Sequence, residues 1–374
     1  MAEQIRILEV VTAMDRAGTE TLLMNLYRNV DRTRVQFDFA VCSNKECDYD
    51  EEIVKMGGRI YRYPQYSGTN HFLYRAWWKK FFFDHPEYKI IHGHVGSTAA
   101  IYLGIAKKKG LYTIAHSHGT KTPLSFKSAL YKLYSFRTRF IADQFFGCSK
   151  QALIDRYGKK IAYSDRAKVL NNAIEAKDFA YNRQTRIEMR KELGLSEDML
   201  TLGTIGRVTA PKNPYMTLNI LRRLKETGVK FRFLWVGIGD MMKEVSDKIE
   251  EYNLRKEIEM LGLRTDIPRI LQAMDIFIFP SLWEGLGIVA IEAQASGLPT
   301  LCSDNVPPEA SVTELCKYIS LDSIDDWTKE IEKTNTKISD PQYARPVTTS
   351  LIIEAGYEIH DVSRWLQEYY EQHS

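Results

Sequence analysis

The chain has 374 residues, which is more than one ordinary domain needs and enough for two domains that each bury a core. Hydrophobic residues make up 44% and charged residues 26%, a balance that excludes a disordered or fibrous protein. No run reaches the roughly 18 apolar residues of a membrane-spanning helix. Five scattered cysteines predict neither a disulfide framework nor a structural zinc site. We therefore expect a protein of the reducing cytoplasm, with no secretory signal at the N-terminus.

Short β-branched runs alternate with longer amphipathic stretches along the chain. In the first half, the predicted strands are 5–11, 35–42, 59–61, 89–92, 113–116, 144–148 and 168–170, and the predicted helices are 19–30, 72–83, 97–109 and 126–142. In the second half, the strands are 200–206, 231–236, 257–261, 275–279 and 300–303, and the helices are 213–227, 241–252, 267–274, 288–296 and 325–334. Such alternation indicates parallel sheets covered by helices on both faces. We predict an α/β protein of two doubly wound domains that join near residues 171–182.

The net charge of +3 hides a strong asymmetry. Residues 71–170 contain 18 Lys and Arg against 5 Asp and Glu, which is about +13, and the remainder is about −10. This stretch is either a scattered solvated surface or a basic face that meets phosphate, nucleic acid or an anionic membrane. Because residues 77–83 join tryptophans and phenylalanines to lysines, we hypothesise a membrane interface.

Ligands of open parallel sheets bind at the carboxyl ends of the strands, and the loop after strand 275–279 is the most informative. Gly285 and Gly287 leave backbone amides free just before a helix, an arrangement that binds phosphate. A carboxylate beside a phosphate is unfavourable unless it binds something else. We interpret Glu284 as holding hydroxyls of a transferred sugar and Glu292 as holding a ribose. The alternative for each is an ordinary surface glutamate.

Two cations, Arg207 and Lys212, follow the predicted strand 200–206 and would neutralise a diphosphate. The turn at Gly237 resembles the start of a dinucleotide fingerprint, but Met242 occupies the third glycine position. A tight strand-to-helix turn is the equal alternative. The glycine loop at Gly18 also lacks the third glycine, which disfavours a nicotinamide dehydrogenase.

Four histidines, His92, His94, His116 and His118, stand at the ends of two predicted strands. Alternate strand residues point the same way, so a zinc site is conceivable. No carboxylate or cysteine accompanies them locally, and we predict no metal. We expect one histidine to make a polar contact with substrate, with strand-end hydrogen bonds as the alternative.

These motifs resemble a known family, the retaining glycosyltransferases of family 4. The matching residues are Gly206-Arg207, Lys212-Asn213, the Gly237/Gly239 turn, Asp275, Pro280-Ser281, Glu284-Gly285, Glu292-Ala293 and Gly297-Leu298-Pro299, with looser matches at 18–20, 118–119, Ser149 and Asn172. Ala17 and Ala173 stand where the family usually has glycine. The resemblance implies the GT-B fold, with two facing Rossmann-like domains and a cleft between them. It divides the chain into an acceptor-binding domain (1–176), a nucleotide-sugar-binding domain (177–356) and a helix that crosses back to the first domain (357–374).

The resemblance also implies the roles of individual residues. It makes His118, Arg207, Lys212 and Glu284 catalytic, and it assigns donor binding to Gly18, Arg207, Lys212, Gly237, Glu284, Gly285, Leu286, Gly287, Ile288 and Glu292. His118 would contact the sugar from the opposite wall. The diphosphate would leave while the acceptor hydroxyl attacks from the same face, so that the anomeric configuration is retained without a metal.

The co-substrate implied is a nucleotide diphosphate sugar, with no other cofactor, and we expect uridine diphosphate (UDP) as its nucleotide. The most similar subgroup builds bacterial capsular or exopolysaccharide repeats on a lipid carrier. This implies a sugar acceptor linked to lipid and an enzyme peripheral on the inner face of the cell membrane. No nucleic-acid module accompanies the basic stretch, so we expect no nucleic-acid partner.

Other enzymes and a binding module remain alternatives. A nucleotide-sugar 2-epimerase of the same fold would consume donor without an acceptor, and a phosphorylase would need a cofactor lysine that we do not locate. A non-catalytic sugar-nucleotide binding module is expected to lack one of Arg207, Lys212 and Glu284, and all three are present.

Overall fold

The computed structural model describes residues 4–119 and 136–374, and their contacts divide the chain into two units. The N-terminal unit comprises the chain up to Ala173 together with Glu358–Ser374. The C-terminal unit is Ile174–Tyr357. Each unit contains one parallel sheet with helices packed against it. The predicted α/β class with two doubly wound sheets is confirmed.

The helices and strands are numbered in chain order over the described residues. The strands are β1 (Ile5–Val11), β2 (Val35–Val41), β3 (Ile60–Arg62), β4 (Ile90–Gly93), β5 (Tyr112–Ser117), β6 (Gln144–Gly147), β7 (Ala167–Val169), β8 (Leu200–Ile205), β9 (Phe231–Val236), β10 (Ile258–Gly262), β11 (Ile276–Phe279), β12 (Thr300–Ser303) and β13 (Cys316–Ile319). The helices are α1 (Gly18–Asn29), α2 (Asp50–Lys55), α3 (His71–Asp84), α4 (Ala99–Lys108), α5 (Lys150–Tyr157), α6 (Lys159–Ala162), α7 (Ala176–Phe179), α8 (Arg183–Glu192), α9 (Pro214–Glu226), α10 (Met242–Glu251), α11 (Ile267–Ala273), α12 (Ile288–Ala295), α13 (Ile324–Ile338), α14 (Thr349–Glu354) and α15 (Ile359–Gln372). Short 3₁₀ turns occur at Arg137–Phe140, Ala210–Lys212 and Pro308–Ala310.

Both sheets place their first strand in the interior. The strand order is β3-β2-β1-β4-β5-β6-β7 in the N-terminal unit and β10-β9-β8-β11-β12-β13 in the C-terminal unit. The chain winds outward on one side of the first strand and then on the other. The switch points lie between β1 and β4 and between β8 and β11, where the following loops diverge and leave room for a ligand.

The core of the N-terminal unit lies on both faces of its sheet. On one face Leu26 and Tyr27 of α1 form a buried cluster with Ile359, Leu366 and Tyr370 of α15. On the other face α3, α4 and α5 contribute a second cluster that is rich in aromatic side chains. The last helix of the chain is thereby part of the N-terminal unit, and it brings Tyr370 beneath β1.

A partly buried ion-pair network anchors the start of β11 in the C-terminal unit. Asp275 accepts hydrogen bonds from Arg186 at 2.5 Å, from Arg190 at 3.3 Å and from the backbone amide of Thr201 at 2.8 Å. The Arg190 side chain is only 3% exposed and also donates to the carbonyl oxygen of Ala273. Asp275 belongs to the motif that resembles family 4, and these contacts give it a structural role.

The structure corrects several predicted elements. The helix predicted over 126–142 is wrong at its end, because Arg137–Phe140 forms a 3₁₀ turn, and residues 120–135 lie outside the described part. The edge strand β13 and the polar helix α8 were not predicted. Across residues 4–119 and 136–374, every helix is too short or too polar to cross a membrane.

Candidate active site

Glycines allow the loops after β8 and β9 to lie against each other. Gly206 and Gly237 adopt φ angles of 151° and 128°. A Cβ atom on Gly237 would collide with the carbonyl oxygen of Gly206, and one on Gly239 would collide with that of Val208. Close packing of the two loops therefore explains the glycine at the predicted donor-binding position 237. This agrees with the alternative that the segment is simply a tight turn from a strand to a helix. The contact of Gly237 with a donor stays a prediction.

The predicted catalytic residues Lys212 and Glu284 contact each other directly. Lys212 follows β8, Glu284 follows β11, and their Nζ and Oε1 atoms are 2.7 Å apart. The Lys212 ammonium also lies 4.7 Å from the centre of the Phe279 ring. The Lys212 side chain is 27% exposed and that of Glu284 is 12% exposed. The charge of Lys212 is therefore compensated before any anionic ligand binds.

A helix begins directly after the Glu284 loop. Gly287 has a left-handed φ of 88° and precedes α12, which starts at Ile288. Among the described residues, no side chain caps this N-terminus. Backbone amides in the first turn of a helix have no partner within the helix and attract anions. The predicted donor-binding residues Gly285, Leu286, Gly287 and Ile288 form this segment.

Glu292 lies one turn further along α12 and is partly buried. Burial raises the pKa of Glu292 to about 7, although the nearby charge of Lys212 lowers it. The carboxyl group therefore holds a proton at a pH where an ordinary glutamate is ionised. A protonated carboxyl both donates and accepts hydrogen bonds, as a pair of sugar hydroxyls requires.

Arg207 is exposed, and we find no ion-pair partner for it within the described residues. It follows Gly206 at the end of β8, so it lies on the same sheet edge as Lys212. The loops after β8 and β11 are joined because the amide of Leu282 donates to the carbonyl oxygen of Pro211 at 2.8 Å. The C-terminal unit thus assembles most of the predicted site residues on one edge of its sheet.

The other two predicted site residues, Gly18 and His118, belong to the N-terminal unit. Gly18 is the first residue of α1, and a Cβ atom built on it would meet nothing within 4 Å. The backbone at Gly18 therefore borders open space. Packing therefore does not explain a glycine at position 18, and its contact with a donor stays a prediction.

His118 follows β5 and belongs to a buried network around Glu9. The carboxylate Oε2 of Glu9 lies 2.7 Å from His94 Nε2, and His94 Nδ1 lies 2.7 Å from His118 Nε2. Tyr370 donates to Glu9 Oε1 at 3.1 Å, and its hydroxyl lies 2.6 Å from His92 Nδ1. One carboxylate therefore connects histidines from both predicted strand ends.

Burial controls the protonation of this network. Burial raises the pKa of Glu9, but the charge and hydrogen bond of His92 and the hydrogen bond of His94 outweigh it and lower the pKa to about 2. Burial lowers the pKa of His94 to about 4 and also lowers the pKa of His116 and His118 well below the usual range. Near neutral pH, Glu9 is ionised and these three rings are neutral.

Glu9 was not predicted as a partner of the histidines, because it lies 85 positions before His94 in the sequence. The available signal was a single acid within the apolar run of β1, since a buried charge needs partners. His92, His94 and His116 place ring nitrogens within 4.8 Å of one another, which is close enough to share a metal ion. The absence of a metal from the active site stays a prediction.

Comparison with known proteins identifies relatives that cover most of the chain. The family described as "Glycosyl transferases group 1" matches residues 185–334. The protein named as glycosyltransferase EpsF of Bacillus subtilis (strain 168) is 32% identical over 310 residues, which are 82% of this chain and 80% of that protein. The UDP-Gal:α-D-GlcNAc-diphosphoundecaprenol α-1,3-galactosyltransferase of Escherichia coli is 28% identical over 229 residues, which are 58% of each chain.

Solved structures share the fold over nearly the full length. Anabaena HepE, crystallised with UDP, superposes with a TM-score of 0.80 and 16% identity, covering 98% of this chain and 100% of its own. WaaG, a glycosyltransferase of lipopolysaccharide biosynthesis, superposes with a TM-score of 0.74 and 17% identity, covering 97% of this chain and 99% of its own. The predicted GT-B fold is therefore confirmed.

The two parallel sheets and their strand-end loops thus have the architecture of the GT-B class. The extent of the similarity to EpsF shows that the chain belongs to the group 1 glycosyltransferase family.

We expect Glu292→Gln to stabilise the protein more at pH 8.5 than at pH 5. Between about 4.3, the ordinary pKa in the unfolded chain, and about 7 in the folded protein, Glu292 loses its proton on unfolding. The free energy of unfolding of the wild type therefore falls as pH rises through this window, whereas glutamine does not titrate. One pKa unit corresponds to about 1.4 kcal/mol, and partial exposure reduces the effect. The difference in unfolding free energy between Glu292→Gln and the wild type should therefore grow by roughly 1–2 kcal/mol from pH 5 to pH 8.5.

Urea unfolding of both proteins at the two pH values measures this gap. Glu244→Gln, at an exposed position of α10, is the matched control. Equal stabilisation by Glu292→Gln at both pH values would contradict the raised pKa.

Proposed function

We propose that this protein is a retaining glycosyltransferase of family 4. It transfers a sugar from a UDP-sugar, without a metal or other cofactor, to a lipid-linked sugar acceptor in the synthesis of a bacterial surface polysaccharide. The observation that carries the proposal is the contact of Lys212 with Glu284 beside an uncapped helix N-terminus and the exposed Arg207. Two cations and a row of amides suit a diphosphate, and the adjacent acid suits sugar hydroxyls.

The relatives support the classes of donor and acceptor. The Escherichia coli relative is named for transfer from UDP-galactose to a sugar on diphosphoundecaprenol, which is a lipid carrier. HepE binds UDP on the same fold. The WcaL protein of Escherichia coli (strain K12), 31% identical over 110 residues, is named for colanic acid biosynthesis.

In the proposed reaction, Lys212 exchanges partners. A bound diphosphate pairs with the Lys212 ammonium group in place of Glu284. The Glu284 carboxylate then binds the hydroxyls of the donor sugar. As the diphosphate leaves, Arg207 and Lys212 stabilise its growing negative charge. The acceptor hydroxyl attacks from the same face and passes its proton to a phosphate oxygen, which retains the anomeric configuration. Gly237, Gly285, Leu286, Gly287, Ile288 and Glu292 hold the donor in the C-terminal unit. The donor contacts of Gly18 and His118 stay predictions from the sequence.

A surface of the N-terminal unit fits the proposed location on the inner face of the cell membrane. This basic aromatic face consists of α3, α4 and the turn Arg137–Phe140, which surround an open hollow of about 1090 Å³. Phe83 is 76% exposed and Phe140 is 74% exposed. The lysines of the face are Lys79, Lys80, Lys107, Lys108 and Lys109. Exposed aromatic rings among lysines suit the interface of an anionic bilayer.

We expect Lys212→Ala to lower kcat about 100- to 1,000-fold, which corresponds to about 2–4 kcal/mol, because the lysine acts on the departing charge. Lys225→Ala is the matched control, since Lys225 forms a similar ion pair with Glu257 at 2.9 Å in the same unit. Steady-state release of UDP from a UDP-sugar in the presence of acceptor measures both. Wild-type turnover in Lys212→Ala would remove the lysine from the mechanism.

We expect UDP to raise the thermal unfolding midpoint more than ADP or GDP does. A ligand that binds only the folded state stabilises it by about 2.7 kcal/mol at one hundred times its dissociation constant. Arg207→Ala should abolish most of this shift, whereas Arg222→Ala, on the surface of α9, should retain it. A larger shift with another nucleotide would contradict the choice of UDP, and no shift with any nucleotide would contradict the donor site.

We expect flotation with vesicles that contain anionic lipid and little flotation with neutral vesicles. Replacing Lys107, Lys108 and Lys109 by glutamate should reduce the bound fraction at least about tenfold, because each lysine near such a surface contributes about 1 kcal/mol. The same exchange at the exposed Lys230, Lys243 and Lys256 of the C-terminal unit is the control for net charge. Equal flotation with both vesicle types would end the membrane proposal.

A further inference from the structure

The ring of Phe279 lies against the charged group of Lys212. Phe279 is the last residue of β11 and is only 1% exposed. The Lys212 Nζ atom lies over the ring, 4.7 Å from its centre, and 2.7 Å from Glu284 Oε1. The face of an aromatic ring carries partial negative charge and attracts a cation at this distance. The ammonium group therefore has two stabilising neighbours, a carboxylate and an uncharged ring.

Phe279 also lies close to the start of α12. A Cβ atom built on Gly287, the residue before this helix, would lie 3.0 Å from Phe279 Cε1 and 3.3 Å from Val306 Cγ1. The backbone at Gly287 approaches the ring this closely because glycine has no side chain and tolerates a φ of 88°. The ring is thus a neighbour of two groups that attract anions, the Lys212 ammonium group and the first turn of α12.

The aliphatic stem of Lys212 passes close to Gly206. A Cβ atom on Gly206 would lie 3.2 Å from Lys212 Cε and 3.5 Å from Lys212 Cδ. Gly206, Lys212 and Phe279 also line one small cavity. A lysine side chain has many rotamers, and confinement reduces the entropy that it loses when its ammonium group binds an anion. The backbone at Gly206 limits the stem, and the ring of Phe279 limits the ammonium group.

We propose that Phe279 is a positioning residue that keeps the Lys212 ammonium group beside the start of α12 when a bound diphosphate takes the place of Glu284. The exchange of partners rests on the proposed function, whereas the contact between ring and ammonium group rests on the geometry of the C-terminal unit. An acid at position 279 would neutralise the lysine and compete with the diphosphate. A ring attracts the ammonium group without a net charge, so the positive charge stays available for the phosphates.

The alternative is that Phe279 only fills the core of the unit, and the neighbouring Phe277 separates the two explanations. Phe277 belongs to the same strand and is fully buried, and its ring centre lies 6.0 Å from that of Phe279. Over residues 4–119 and 136–374, we find no cation over the Phe277 ring. A role in packing alone predicts the same response of kcat to a change in either ring, whereas the proposed role predicts a response only at Phe279.

Stepwise fluorination of Phe279 tests the proposal with little change in ring size. Fluorine withdraws electron density from the ring face and weakens its attraction for a cation. Replacing Phe279 by its 4-fluoro, 3,5-difluoro and 3,4,5-trifluoro forms should lower kcat progressively, by about 3- to 30-fold over the series, the loss expected when a cation is held less firmly on a ring. The same series at Phe277 should leave kcat within about twofold. A flat or rising series at Phe279, or equal losses at both positions, would overturn the proposal.

A second background shows whether the effect of the ring passes through Lys212. In Lys212→Ala, the fluorinated rings at position 279 should cause no further loss of kcat, because the cation on which the ring acts is gone. Lys225→Ala, which removes the ion pair with Glu257 in the same unit, is the control and should leave the effect of fluorination unchanged. Losses that persist in Lys212→Ala would have another cause and would overturn the proposal.

Nuclear magnetic resonance of the wild type tests the contact without any substitution that could prevent folding. A ring face shifts nearby protons upfield, and we expect such a shift for the ε-methylene protons of Lys212, whose resonance is assigned with Lys212→Arg. The shift should persist at saturating UDP. An unshifted resonance in the free protein, or loss of the shift when UDP binds, would overturn the proposal.

The thermal shift with UDP tests the proposed function separately. No change of the unfolding midpoint with any nucleotide would contradict the donor site, and with it the exchange of partners. The spectrum of the free protein would still decide whether the ring of Phe279 holds the ammonium group, so failure of the proposed function and failure of the ring contact are distinguishable.

Discussion

In the middle of each sheet, two strands that are far apart in sequence lie next to each other. This pairing creates the two candidate sites. β1 pairs with β4 and β8 pairs with β11, so the loops after these strands open side by side. This brings His94 to Glu9 across 85 positions of sequence and Glu284 to Lys212 across 72 positions. Parallel strands are joined by crossover connections of about a dozen residues or more, and ligands bind at the carboxyl ends of the strands. The polar contacts of each unit therefore depend on its strand order.

Each site contains carboxyl groups whose burial would be unfavourable without partners. The cost of burial is offset differently for each group. Glu9 is ionised and surrounded by ring nitrogens and a tyrosine hydroxyl. Glu284 faces an ammonium group, and Glu292 retains its proton because it is buried. Neighbouring charge and local desolvation thus give Glu9 and Glu292 opposite protonation states. Under the proposed function, ligand binding at the Lys212–Glu284 pair is an exchange of partners and does not fill an empty charged pocket.

Periodicity was sufficient to predict the fold class and most strands, because buried parallel strands are continuous apolar runs. It missed β13, whose residues are only partly buried, and α8, whose sequence is mainly polar. The sequence also placed Lys212 and Glu284 at strand ends, but it did not predict their direct contact. That contact, like the contacts of Glu9 with the histidines, depends on which strands are neighbours. Strand order is a tertiary property that local pattern does not contain.

Packing explains some residues of the family motif and leaves others without a structural reason. Asp275 anchors two arginines and a backbone amide, and Gly237 allows two loops to touch, so the fold itself needs both. Lys212 and Glu284 differ, because they are joined in a partly exposed ion pair between the loops after β8 and β11. Parallel sheets bind ligands at this edge, so the proposed function gives this charged pair the reason that packing gives Asp275 and Gly237.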